Sequence, residues 1–297
     1  MASINRHRGF SLLELILVVV LLGVLASGAG LLITRPIEAY SDQLRRQQLV
    51  DQAEMALRQI ARDVRRALPN SIRITAAAGG WALEMVNTID GARYRDEIDP
   101  VGGVHNLPFD LLDFSSADTD FNVLGQFGSV DLNAILPSNQ RLVIYNTGPA
   151  DIYQDINAGI ASGIVTSSAT NLTITDNAGE HHINMNPAFR FTQQSPGQRM
   201  FVIDGAISYV CNPASRTITR YDNYPYQTSQ PGSDIVLSAL PGVQSGRVVT
   251  RVASSGCEIN YNPGTPSRGG LVSIRVVLDD SGEDISLLHQ IHVVNVP

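Results

Sequence analysis

Arg8-Gly9-Phe10-Ser11-Leu12-Leu13-Glu14-Leu15-Ile16-Leu17-Val18-Val19-Val20-Leu21-Leu22-Gly23-Val24-Leu25-Ala26 is the stretch that decides how the chain is read. The apolar run extends from Phe10 to Ile33, 24 residues with a single charge, Glu14. As a helix rising about 1.5 Å per residue it is long enough for a hydrocarbon core of about 30 Å. A carboxylate at membrane depth costs roughly 2.5–3.5 kcal/mol, so it persists where it has a partner.

Arg6, His7 and Arg8 precede the run, and positive charge there holds an amino end in the cytoplasm. The other flank also carries Arg35, Arg45 and Arg46, diluted by Glu38 and Asp42, so charge asymmetry alone decides little. A secretory signal peptide has a shorter apolar region, roughly 7–15 residues, followed by small residues. Ala26-Ser27-Gly28-Ala29-Gly30 would suit such a cut, but a signal peptide gains nothing from Glu14.

The residues from Gly9 to Ala26 resemble the cleavage and methylation motif of type IV pilins and type II secretion pseudopilins. The resemblance implies cleavage by prepilin peptidase between Gly9 and Phe10, methylation of the new Phe10 amino group, and pairing of Glu14 with a neighbouring subunit's amino terminus. The physics agrees with that role, because a buried carboxylate beside a buried ammonium offsets part of both desolvation costs and fixes register between subunits.

Composition bounds the remainder. The 297 residues suffice for one large domain or two small ones beyond an anchor. All 21 basic residues are Arg. Residues 35–68 carry seven Arg against five acids, whereas residues 69–297 carry 12 Arg against 22 acids, a net charge of −10. An acidic head does not suit phosphate backbones, so no nucleic acid is expected. The two cysteines, Cys211 and Cys257, point to a disulfide if the head is translocated; the alternative is two separate buried thiols. A bridge would close a 47-residue loop and contribute about 4 kcal/mol in the chain-entropy account. Neither Cys has a His within a few residues, so they make no zinc site.

Beyond the apolar run, Leu49, Ala53, Leu57, Ile60, Val64 and Leu68 recur at three- and four-residue steps, the pattern of a helix laying one stripe on a head. Pro36 predicts a kink, and Pro69-Asn70 predicts the end of the helix at Leu68. After Asn70, short β-like runs follow: 71–74, 82–86, 141–145, 171–174, 200–203, 206–211, 217–221, 247–252, 258–261, 271–278 and 285–294. The last two, joined across Asp279–Asp284, make the clearest hairpin. Residues 100–140 and 222–246 are expected to be long loops, and no second apolar cluster calls for a separate domain. The expected fold is therefore α+β: a leader at 1–9, a long amino-terminal helix at 10–68 with a transmembrane half at 10–33, and an antiparallel β-sheet head at 69–297, as in pilins.

Within the head, Leu287-Leu288-His289-Gln290-Ile291-His292-Val293 with Asn295-Val296-Pro297 resembles the MshO-type minor pilins of mannose-sensitive haemagglutinin pilus systems. Gly256-Cys257 followed by Arg268-Gly269-Gly270-Leu271-Val272 resembles J-type minor pseudopilins of type II secretion. Metal chemistry is not expected: His181-His182 and His289-x-x-His292 diverge if they lie on strands. The acidic clusters Asp110/Asp113/Asp118/Asp120 and Asp279/Asp280/Glu283/Asp284 do not follow EF-hand spacing, although calcium favours such oxygen-rich loops. No nucleophile elbow, phosphate loop or dinucleotide fingerprint is present, so the chain is not expected to be an enzyme or to hold a cofactor.

The expectation is a minor pilin-like subunit of a Gram-negative bacterium. It would sit in the inner membrane with a periplasmic head, then in a pilus or its tip complex. Its partners would be other pilin or pseudopilin subunits, prepilin peptidase, the inner-membrane assembly platform and the lipid bilayer. The alternatives are a J-type pseudopilin of a secretion system, or a periplasmic binding module or enzyme behind an ordinary leader.

Overall fold

The structure is a computed structural model describing residues 9–77, 79–95, 110–158, 163–177, 179–264 and 268–295, without the side chains of residues 29–34, 155, 157 and 158. Its first element is one 54-residue helix, α1 (Leu12–Arg65). Pro36 lies inside this helix rather than at an end. The helix stops three residues before the expected Leu68. Pro69 disfavours a helical Leu68, Asn70 takes φ 60°, and the strand Gly80–Tyr94 captures the chain: the Leu68 amide donates to the Val86 carbonyl at 2.8 Å and the Thr88 amide to the Arg66 carbonyl at 3.0 Å.

The transmembrane half expected over 10–33 is not found: among the described residues no helix is long and apolar enough to cross a membrane. The apolar part of α1 with described side chains runs from Leu12 to Gly28, about 25 Å at 1.5 Å per residue, short of a core of about 30 Å. Residues 29–33 complete the expected span, and their side chains lie outside the described residues, as do residues 1–8 of the expected leader.

The head follows with β1 (Arg73–Ala77), β2 (Gly80–Tyr94), β3 (Asp118–Leu124), β4 (Arg141–Ile144), α2 (Pro149–Ala158), β5 (Asn171–Asn177), β6 (Glu180–Phe189), β7 (Arg199–Asn212), β8 (Thr217–Asp222), α3 (Asp234–Ser238), β9 (Gln244–Thr250), β10 (Val252–Asn262), β11 (Gly270–Asp280) and β12 (Glu283–Val293). All pairings are antiparallel. Nine strands form one sheet in the order β5-β6-β3-β2-β7-β8-β9, with β1 added on β2 and β4 on β7; β10-β11-β12 form a second. The β11–β12 hairpin expected across Asp279–Asp284 is present, with Asp279 opposite Asp284 and Asp280 opposite Glu283.

The runs expected at 200–203 and 206–211 are one strand, β7, crossing Asp204-Gly205. The loop expected over 100–140 contains β3, and that over 222–246 contains α3 and most of the first half of β9. β6, between two expected runs, alternates buried His181, Ile183 and Met185 with more exposed neighbours, the period of a half-buried strand. Helix α2 begins on Pro149, whose fixed φ and missing N–H suit a first helical position, and buries Ile152, Tyr153 and Ile156.

Three apolar clusters are buried among the described residues. The first joins Leu49, Leu57, Ile60 and Val64 of α1 to Trp81, Leu83, Met85 and Tyr209 of the large sheet and Val272, Ile274, Val276 and Ile291 of the small one. The helix thus lies against both sheets. A second fills the β3–β5–β6 end around Tyr94, Phe121, Ile183 and Phe191. A third lies under α2 around Tyr153, Val143, Ile203 and Tyr224.

Candidate functional site

The amino-terminal segment is built for access. Gly9 and Phe10 precede α1 outside any regular element and are exposed, Phe10 at 81%. Ser11 caps the helix in an extended conformation, its Oγ accepting the Glu14 amide at 3.2 Å. Ser11 and Glu14 therefore stand in the spacing of a capping box, S-x-x-E. A carboxylate in the first turn also meets the positive end of the helix dipole. This local stabilisation of Glu14 was legible in the sequence and is independent of any partner subunit. The large side chains from Phe10 to Leu25 are all exposed, Leu17 for instance at 56%.

The other end of α1 is clamped. Asp63 Oδ2 accepts the Tyr209 hydroxyl at 2.7 Å and Arg220 Nε at 2.9 Å, and Arg220 also pairs with Asp222. Burial, then the Asp63 hydrogen bond, push the Tyr209 phenol far above its ordinary range. The phenol thus stays a neutral donor to Asp63. Residues 146 and 157 positions apart in sequence meet here, and no local pattern announces them.

Cys211 of β7 and Cys257 of β10 form a disulfide, with Cα atoms 6.0 Å apart, so the bridge ties the large sheet to the small one. Two glycines allow the approach. A Cβ on Gly80 would lie 2.0 Å from the Cys211 carbonyl oxygen, and one on Gly256 would lie 2.4 Å from that of Val277, where β10 changes register.

A third polar centre anchors the 222–233 loop. Glu84, fully buried, accepts Arg73 Nε at 2.6 Å and the Tyr224 hydroxyl at 2.9 Å. Arg73 also donates to the carbonyls of Gln227 and Thr228 and lies 3.6 Å over the Tyr153 ring. Burial pushes the Glu84 carboxyl above its ordinary range, against the pull of Arg73 and of the hydrogen bonds.

The remaining candidates divide. Asp279 pairs with Arg216 and Asp280 with Arg251, so two carboxylates of the hairpin are already neutralised. In the other cluster Asp113 is held at about 2 by the Ser116 and Ser115 hydroxyls, while burial and the hydrogen bond with Asp120 raise Asp110. His181 is buried, its Nδ1 accepting the Phe127 amide at 3.0 Å; His182 meets Asn122 Oδ1 at 3.0 Å. Neighbours on a strand, they point to opposite faces. His289 and His292 of β12 are half-buried and exposed respectively, three strand positions apart. Among the described residues no group of three or more metal-ligating side chains forms.

Comparison with known proteins returns one family model, the prokaryotic N-terminal methylation motif, which matches residues 4–30. No curated protein and no solved structure matches the chain. The match supports a pilin-like protein, a substrate of prepilin peptidase whose partners include other pilin subunits. It covers the Gly9-Phe10 junction and Glu14 and does not extend to the head.

Proposed function

We propose that the chain is a minor pilin-like structural subunit, cut between Gly9 and Phe10, methylated on Phe10, and assembled through α1 into a type IV pilus or its tip complex. The observation that carries the reading is the methylation motif over residues 4–30, ending in a helix whose large apolar side chains from Leu12 to Leu25 are exposed. Exposed apolar surface on this scale calls for lipid or neighbouring helices. In this reading residues 10–33 insert in the inner membrane, Glu14 meets a neighbour's amino terminus, and the head stands in the periplasm.

The role is assembly rather than catalysis. The fully buried carboxylate of Glu84 and the half-buried one of Asp63 are occupied in holding loops and the helix to the head. A head of more than 200 residues on one helix suits a tip or initiating position, because such bulk at every repeat would crowd a shaft. The finer assignment favours the MshO-type minor pilins, on the strength of the sequence 287–293 with Asn295-Val296-Pro297. The second reading, a J-type pseudopilin of type II secretion, draws on Gly256-Cys257 and residues 268–272.

Co-expression with prepilin peptidase tests the processing step. The wild-type chain shortens by nine residues, and Gly9→Val stays full length. Equal processing of both chains overturns the proposal. Immunogold labelling tests the position: label confined to one filament end supports the tip, and label along the whole length contradicts it.

A further inference from the structure

The outer edge of β7 changes partner along its length. Arg141–Ile144 of β4 pair with residues 200–203, and Thr217–Tyr221 of β8 pair with residues 208–212. Between them, Asp204–Ile207 face neither strand. The equivalent break on β2, between β1 and β3, is filled by the chain just past α1, at Arg66 and Leu68. The break on β7 is open: two adjoining hollows of about 330 Å³ each share Asn139, Asp204, Gly205 and Asn223, the lower end of the size range of small-molecule sites.

The sheet itself aims a carboxylate into this cleft. In the β2–β7 ladder Asn87 faces Gly205 and Thr88 faces Ile203, so Asp204 is the extra residue of a bulge, a device that re-aims a side chain. Asn87 Nδ2 donates to Asp204 Oδ1 at 2.6 Å and Asn139 Nδ2 to the Asp204 carbonyl at 2.8 Å. Asn223 Nδ2 donates to the Gly242 carbonyl at 2.9 Å. With the amide nitrogens tied down, the Oδ1 atoms of Asn139 and Asn223 and the second oxygen of Asp204 are fixed acceptors with no donor among the described residues. Such a wall can accept from hydroxyl donors.

Two arginines also line the cleft. Arg220, on the β8 side, is held by Asp63 and Asp222. Arg141, on the β4 side, has no carboxylate partner among the described residues: its Nε is buried without an acceptor and its Nη1 reaches only the Ile156 carbonyl, at 3.4 Å. Its guanidinium lies 5.8 Å from the Tyr226 ring. Tyr226 lines the same hollow, is only 9% exposed, and its hydroxyl has no hydrogen-bond partner.

We propose that this cleft binds a carboxylate-bearing sugar, such as a hexuronate unit, with Arg141 taking the carboxylate and Asn139, Asn223 and Asp204 accepting its hydroxyls. A simple anion engages only Arg141 and leaves the Asn139, Asn223 and Asp204 acceptors unused, and a neutral sugar leaves Arg141 without a carboxylate partner among the described residues. The inference stands apart from the filament reading, since it concerns only the head.

Calorimetric titration of the full chain in detergent micelles tests it, with sodium glucuronate as probe and glucose, acetate and glycine as controls. Glucuronate saturates with a Kd on the order of 1 mM, and each control binds at least tenfold more weakly. Arg141→Gln weakens glucuronate at least tenfold and Asn139→Ala several-fold, with unchanged circular dichroism. The proposal is overturned by no saturation below about 10 mM, by a control that binds as well as glucuronate, or by wild-type affinity in Arg141→Gln. Should that variant not fold, Asn139→Ala and Asn223→Ala decide: a loss in either supports the site, and wild-type affinity in both sinks it.

Discussion

The two ends of α1 belong to one helix and live in different surroundings. From Leu12 to Leu25 the large side chains are exposed, whereas Leu49, Leu57, Ile60 and Val64 are buried against two sheets. Both halves are apolar; they differ in arrangement. Apart from Glu14 the first is apolar all round, with nothing among the described residues to cover it. The second is apolar on one stripe, and the head supplies the cover. The first half therefore takes its stability from something outside this chain, and the second from within it.

That contrast breaks most visibly at the bridge between the sheets on which the second half rests. Replacing Cys211 and Cys257 with Ser is expected to cost about 4 kcal/mol, read as the melting temperature of the full chain in detergent. Ile60→Ala is expected to cost about 3 kcal/mol, lowering that temperature by roughly 6–12 °C. Leu17→Ala, in the uncovered half, is expected to leave head melting unchanged. Equal effects of the two substitutions would dissolve the distinction between the halves.

Smaller effects sharpen it. Asp63→Asn removes the charge that receives Tyr209 and Arg220, and a loss of about 1–3 kcal/mol is expected, measurable by chemical denaturation. Smallest is a pH effect at Glu84, in the head alone. Burial raises its carboxyl above the ordinary 4.5, so between 4.5 and that raised value the folded state holds more protons than the unfolded one. Stability from this group is full below 4.5 and is lost as pH rises through the raised value. Glu84→Gln is expected to remove that component from the pH dependence of melting between pH 4 and 7. An unchanged slope would place the titration elsewhere.

The sequence carried the helix and its burial stripe because both are periodic and local. It carried the β11–β12 hairpin because two apolar runs flank an acidic turn. β3 stayed hidden because Asp118 and Asp120 look like loop residues, and β6 because His181, Asn184 and Asn186 dilute its alternation. The strand β7 looked like two because Asp204-Gly205 interrupts it, and that interruption is a bulge. At the amino terminus, the Gly9-Phe10 junction and Glu14 are a compact motif, whereas the Ser11–Glu14 cap was present in the spacing and needed the helix start to be recognised. Asp63, Tyr209 and Arg220 share no local pattern at all; only the packing of α1 on β7 and β8 unites them.

The central claim is that the uncovered half of α1 begins at a processed Phe10. Intact-mass and peptide mass spectrometry of the chain purified from cells with prepilin peptidase tests it most directly. The account predicts a mature protein that starts at a methylated Phe10 and an unprocessed chain when the peptidase is absent. A mature terminus near Ser27 or Ala29, independent of that peptidase, would contradict it.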